Sequence, residues 1–254
     1  MNYHSDEWIM AGLQVHHDEA IRRFGKENVL AQFYTGSGNY NADTEGSDVD
    51  SWAIIIDPNY DPTTYQVDRI EFNNEVMWVA DIRAYMNGIL HGDWVYLLPL
   101  FGRYHIYNSL YKEFFELLLK RKNDIAYSSV VPTMQRLKTE VVPTYVFLVE
   151  NIAEDKFRKN LYYLKQIWYS VDTLRNKRPF ASWFGRDDIA AELLALKKGT
   201  VTREEAVAMA HEMQKDIESF NPTPQQYPVH DKKLVMFCYF IKDRILEVHG
   251  RGAK

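Results

Sequence analysis

The sequence predicts an α+β protein, with strands and helices mixed over residues 1–127 and helices alone over residues 128–254. Three observations lead there. Two short apolar runs, "NVLAQFY" (28–34) and "VDSWAIII" (49–56), are bounded by turn-forming residues, as buried strands are. The segments "TYQVDRIE" and "EVMWVAD" flank "FNN", which predicts a hairpin. Toward the C-terminal half the strand signals fade and apolar residues recur at helical spacing.

Taken in order, residues 5–25 read as an amphipathic helix. Met10, Leu13, His17, Ala20 and Phe24 fall at helical spacing, Ser5 caps the start and Gly25 the end. The strand at 28–34 runs into a polar loop and then into the strand at 49–56, closed by Asp57-Pro58. After the hairpin, "IRAYMNGILHGDWVYLLPLF" (82–101) is helical with an interruption near Gly92. The polar, proline-bearing "KNDIAYSSVVP" (122–132) marks the expected boundary between the two halves. "FRKNLYYLKQIWYSVDTLRNK" (157–177) is a long helix with an apolar stripe of Leu161, Leu164, Trp168 and Val171. "DDIAAELLALKKG" ends in a helix stop, and the next helix opens on Thr202 and Glu205, spaced as a capping box. "KKLVMFCYFIKDRILEVHG" is the final helix. There is no internal repeat and no low-complexity tract.

Composition narrows the function. Hydrophobic residues make up 46% of the 254, enough for a sizeable core. No apolar stretch is long enough to span a membrane, and Met1 to Glu7 lack a signal pattern. The one cysteine, Cys238, lies in an apolar run and reads as a core residue, so no disulfide framework is expected and a reducing cytoplasm is the expected setting. The net charge of −5 disfavours a long nucleic-acid footprint but leaves room for a local basic pocket.

The loop "FYTGSGNYNADTEGSDVDSWAIII" (33–56) carries the chemistry. A calcium loop would use Asn41, Asp43, Glu45 and Gly46, but the twelfth position is Trp52 rather than a bidentate Glu and the flanks are strand-like. A plain polar turn explains Asn41, Asp43 and Gly46 well and Asp50 poorly. Asp48 and Asp50 point to one face and repel each other unless a cation sits between them. The third reading is catalytic. Two carboxylates hold Mg²⁺, while Gly36 and Ser37 at the end of a strand offer backbone N–H groups and a hydroxyl to a triphosphate.

"GSGNYNADTEGSDVDSW" resembles the signature of the DNA polymerase β-like nucleotidyltransferase superfamily, Gly-Ser followed by Asp-x-Asp on a strand. With "ADIRAYM" after it, the pattern is similar to the branch associated with RNA repair and found among phage proteins, and "FASWFGRDDIAAELLALKKGTVTREEA" resembles that branch's helical segment. Gly38 departs from it, standing where some members carry a basic residue. The resemblance implies a polymerase-β-like core with a mixed sheet, a C-terminal helical domain and an active site in the cleft. It implies transfer of a nucleoside monophosphate from an NTP to an acceptor hydroxyl, with two Mg²⁺ (or Mn²⁺) ions held by three carboxylates. Asp48 and Asp50 are two of these. Asp68, Glu71, Glu75, Asp81 and Asp93 compete for the third place. Asp81 is the expected one, because it ends an apolar strand and matches the family's Asp-hydrophobic-Arg position; its alternative role is a helix N-cap.

Nucleotide contacts are expected from Gly36, Ser37, Asn39 and Ser47. On the 157–177 helix, Arg158, Tyr162, Lys165 and Tyr169 share a face, where they hold a triphosphate and stack on a base or else form a solvated basic surface. His16 and His17 lack metal-ligand spacing and read as surface or core residues. The expected acceptor is an RNA 3′ end such as that of tRNA, met by Arg158, Lys165, Arg175, Lys177 and Arg178 among aromatic residues. The alternatives are a protein or small-molecule acceptor and a catalytically inactive nucleotide-binding module.

Overall fold

The computed structural model describes residues 3–61, 67–152, 156–199, 201–227 and 232–252. Helix α1 (Asp6–Phe24) starts at Ser5, whose Oγ accepts the Trp8 N–H at 3.2 Å, and stops at Gly25, whose φ of 87° only glycine adopts freely. Strands β1 (Val29–Tyr34) and β2 (Ser51–Ile55) are buried along their whole length and pair antiparallel. Strands β3 (Val67–Phe72) and β4 (Glu75–Asp81) form the predicted hairpin, turning on Asn73 and Asn74 at φ 50° and 63°. The Thr64–Gln66 part of the predicted first strand lies outside the described residues.

Strand β4 then lies parallel to β2, and β5 (His105–Tyr107) closes the other edge, giving the order β3-β4-β2-β1-β5 in a mixed five-stranded sheet. The fold is therefore α+β. Helix α1 covers one face, burying Ala20 with Val29, Ala53, Ile55, Met77 and Val79. On the other face, α2 (Ile82–Leu90) begins a helical mass that includes α3 (Trp94–Leu97), α4 (Lys112–Lys120), α5 (Lys122–Ser128), α6 (Val130–Arg136), α7 (Val142–Asn151), α8 (Lys156–Arg175), α9 (Asp187–Lys197), α10 (Arg203–Ser219) and α11 (Lys232–Gly252). Thr202 and Glu205 form the predicted capping box on α10.

The expected boundary at 127/128 does not appear as a linker. Residues 122–132 fall in α5 and α6, and their Ile125, Ala126 and Val130 are buried. One apolar core runs from Leu30 and Phe33 on β1 through Leu161 and Leu164 on α8 to Cys238 and Ile245 on α11. Helix α11 returns to pack on α2, α4 and α5. The segment reads as polar because Lys122, Asn123, Asp124 and Ser128 are exposed or half-buried, while the buried Ser129 satisfies its hydroxyl on the Ile125 and Ala126 carbonyls within the helices. Among the described residues no helix is long and apolar enough to cross a membrane.

Candidate functional site

Strand β1 hands the chain to a loop that the sheet and the helical half hold from both sides. The Thr35 N–H donates to the Asp50 carbonyl at 2.9 Å, so the two ends of the loop are tied together. Gly36 leaves no room for a side chain, since a Cβ there would meet the Tyr34 hydroxyl at 2.5 Å. That hydroxyl accepts the Gly38 N–H at 3.0 Å. Ser37 opens a single 3₁₀ turn (Ser37–Tyr40), and its Oγ is 3.4 Å from the Ser47 Oγ. Asn39 is buried; it donates to the Tyr34 carbonyl at 2.9 Å and accepts the Arg103 N–H at 2.9 Å. Asn39 is therefore a strut of the loop rather than the expected nucleotide contact. Asp43 accepts the N–H groups of Tyr3 and His4 at 3.1 and 2.8 Å, which accounts for it without calcium.

Val49 decides where the two aspartates go. Its side chain is fully buried against Ile9 and Leu13 of α1, and Gly12 makes the space, as a Cβ there would lie 2.5 Å from Val49 Cγ2. Burying a valine is worth ~1.5–3 kcal/mol. With Val49 anchored, Asp48 is left exposed and Asp50 half-buried in front of the helical half. Among the described residues neither carboxylate accepts a hydrogen bond or forms an ion pair. The Asp50 carboxyl is pushed up to about 6, first by burial and next by the charge of Asp48; Glu75 adds to this, while Lys159 and Lys197 oppose it.

The parallel register of β2 and β4 settles which other acids come near. Ser51 pairs with Met77, so the start of β4, with Glu75, lies beside the start of β2. Glu75 Oε1 accepts the Val49 N–H at 3.4 Å, between the two aspartates. Asp81 pairs with Ile55, at the other end; residues 50 to 55 span roughly 16 Å of strand. There Asp81 caps α2, accepting the N–H groups of Arg83 and Asp57 at 2.7 and 2.8 Å and both guanidinium arms of Arg83. The expectation that Asp81 joins Asp48 and Asp50 is thus corrected. The strand does carry it to a sheet edge, but because β4 runs parallel to β2 that edge is the wrong one. Asp68 is exposed, Glu71 pairs with Arg69, and Asp93 pairs with Arg136. Of the competing acids, Glu75 is the one brought to the aspartate pair.

The facing wall comes from α7, α8 and α9. Lys197, at the end of α9, donates to the Ala42 carbonyl at 3.0 Å and sits 4.7 Å over the Tyr162 ring. Burial lowers its ammonium to about 8 against the pull of Asp43, Asp48 and Asp50. Lys159 lies 5.9 Å from the centre of the Tyr163 ring, and Tyr145 of α7 is 5.9 Å from the same ring. The Tyr163 phenol is pushed up to about 12 by burial and by the charges of Asp50 and Asp48.

The cations expected here point elsewhere. Arg158 donates to the Val201 carbonyl at 3.3 Å and lies over Phe157. Lys165 pairs with Glu192 at 2.8 Å and lies over Trp168 and Tyr169, beside a cavity of about 330 Å³ lined by those two rings and Trp183. Tyr162 is buried beneath Lys197 and offers no open ring face. The residues expected from the sequence lie on the same helix as Lys159 and Tyr163 but on a neighbouring face. The spacing of Lys159 and Tyr163 at i and i+4 was the available signal, whereas Lys197 had none beyond its place in a helix stop.

Among the described residues no three His, Cys, Asp or Glu side chains stand close enough to share one ion. Asp48 and Asp50 nonetheless fit a hard divalent cation: they are oxygen donors without hydrogen-bond partners, and their mutual repulsion is what a cation relieves. No protein-family model matches the chain, and no curated protein matches its sequence.

Proposed function

We propose that this chain is a polymerase-β-like nucleotidyltransferase, moving a nucleoside monophosphate from an NTP to an acceptor hydroxyl. The observation that carries this reading is the half-buried Asp50 beside Asp48, without hydrogen-bond partners among the described residues and faced by Lys159 and Lys197. A carboxylate pair and two ammonium groups on opposite walls are what a metal-bound polyphosphate needs. Asp48 and Asp50 would hold Mg²⁺ or Mn²⁺, while Glu75, in the neighbourhood where Asp81 was expected, would steady the segment between them through the Val49 N–H. Held there, such an ion would supply positive charge to offset that of the substrate's phosphates.

The chain's own residues do the rest. Lys159 and Lys197 attract and orient the triphosphate; Ser37 and Ser47 offer hydroxyls at the loop, and Tyr163 offers a ring beside it. The half-burial of Asp50 keeps bulk water from screening these charges. The acceptor we favour is an RNA 3′ end. Arg175 is engaged by Asp216 and Lys165 by Glu192, so Lys177 and Arg178, both exposed, are the cations left for a short contact. The test offers each labelled NTP with Mg²⁺ to end-labelled small RNAs and to protein. Lengthened RNA supports the reading, label on protein moves the acceptor, and no Mg²⁺-dependent turnover of any NTP sinks it.

A further inference from the structure

Helix α1 sends one residue through the sheet edge to the acid cluster. His16 is fully buried, and both of its ring nitrogens are engaged. Nδ1 is 2.7 Å from the Ser51 Oγ, and Nε2 is 2.9 Å from Glu75 Oε2. The Phe72 ring stands edge-on to the imidazole at 4.6 Å and fixes its plane. The direction of the chain of hydrogen bonds follows from its far end. The Glu75 carboxylate can only accept, so Nε2 carries the hydrogen, Nδ1 accepts the Ser51 O–H, and the Ser51 Oγ accepts from the buried Gln32 amide at 2.7 Å. The outcome is one tautomer, neutral and aimed at the carboxylate. Burial, which holds the imidazole below its ordinary pKa, agrees with the neutral form.

Glu75 is thereby gripped at both oxygens, Oε2 by His16 and Oε1 by the Val49 N–H at 3.4 Å. Without that grip a glutamate at the first position of a strand, beside two aspartates, would swing out to water, since like charges repel and its side chain is long. The network is costly to bury and contributes nothing to the apolar core, which a leucine in place of His16 would serve better. We infer that His16 is a positioning residue for the Asp48–Asp50 pair: fixed by the Gln32–Ser51 hydrogen-bond chain, it holds Glu75, whose other oxygen accepts the Val49 N–H, and so sets the segment that carries the two carboxylates. The inference rests on the nucleotidyltransferase reading above.

Two measurements test it without turnover. Nitrogen-15 NMR of the histidine side chains should find His16 as the Nε2–H tautomer; an Nδ1–H tautomer overturns the inference. Direct Mn²⁺ titration of the full chain should show affinity falling about 10- to 100-fold in His16→Phe, the usual loss for an outer-shell partner, and recovering in part in His16→Gln, whose amide can donate to Glu75. Ser51→Ala, which frees the tautomer and changes little volume, should weaken Mn²⁺ several-fold and stands in if His16→Phe does not fold. Wild-type Mn²⁺ affinity in a folded His16→Phe or in Ser51→Ala overturns the inference. Asp50→Asn separates the two failures. If it abolishes Mn²⁺ binding while the His16 variants bind normally, only the role of His16 falls; if Asp50→Asn binds Mn²⁺ as wild type does, the metal site and the nucleotidyltransferase reading fall together.

Discussion

Strands β2 and β4 run side by side, and an acid stands at each end of the pair. Asp50 enters β2 half-buried, beside another acid, with no partner for its carboxylate among the described residues. Asp81 leaves β4 almost wholly buried, with backbone N–H groups and a guanidinium filling its lone pairs. Both lie at the mouth of an apolar strand, and both look catalytic in sequence. The difference between them is what each has been given to neutralise its charge. A carboxylate whose charge is balanced by a guanidinium inside the chain has finished its work in folding; one that is crowded by its own kind and left open is waiting for something from outside.

The sharpest way to break this contrast is to neutralise each acid in turn. Asp50→Asn should cut Mg²⁺-dependent NTP turnover by about 10²–10³-fold, the scale of losing one preorganised electrostatic contact. Its melting temperature should hold or rise, because a repulsion is removed. Asp81→Ala should do the reverse. It leaves Arg83 without its partner and α2 without its cap, so about 3 kcal/mol of stability is lost in denaturant melts. Turnover per folded molecule should stay within about two-fold of wild type, since nothing near the aspartate pair is touched.

A smaller effect is expected on the helices that face the aspartate pair. Lys197→Met should raise the KM for NTP by about 10- to 100-fold through loss of a charge-assisted contact, with kcat less affected. Lys165→Met, whose ammonium is spent on Glu192, should change KM by less than about two-fold. Equal effects from the two lysines would mean that the wrong face of α8 has been assigned to the cleft.

The slightest effect is in pH. Folded Asp50 keeps its proton to about 6, while the unfolded chain releases it near 3.8. Between those values the folded state holds the extra proton, so Asp50 favours folding most at low pH and that contribution fades as pH rises through about 6. Thermal melts of the metal-free protein should show this decline, Asp50→Asn should flatten it, and Mg²⁺ should offset it above pH 6 in wild type alone. NTP affinity should weaken again above about pH 8, where Lys197 loses its charge.

Much of this molecule was legible in its sequence, for reasons that are local. The buried strands at 29–34 and 51–55, the hairpin on Asn73-Asn74, the caps at Ser5 and Gly25 and the Thr202–Glu205 box each depend on residues within a few positions of one another. The proximity of Asp48 and Asp50 is equally local, a matter of alternation along an extended chain. The partners of that pair are not. Whether β4 runs parallel or antiparallel to β2 decides whether Glu75 or Asp81 meets it, and no periodicity within β4 encodes the direction of a neighbour. The face that α8 turns to the cleft, the reach of Lys197 from α9 and the passage of His16 from α1 to Glu75 all depend on how elements far apart in sequence share one core. The elements and the acidic pair are set by short-range sterics and hydrogen bonding, which act between near neighbours in the chain. Which charges surround the pair follows from the folded core, because charges act through space and the chain brings Glu75 there from 25 residues away and Lys159 and Lys197 from more than a hundred.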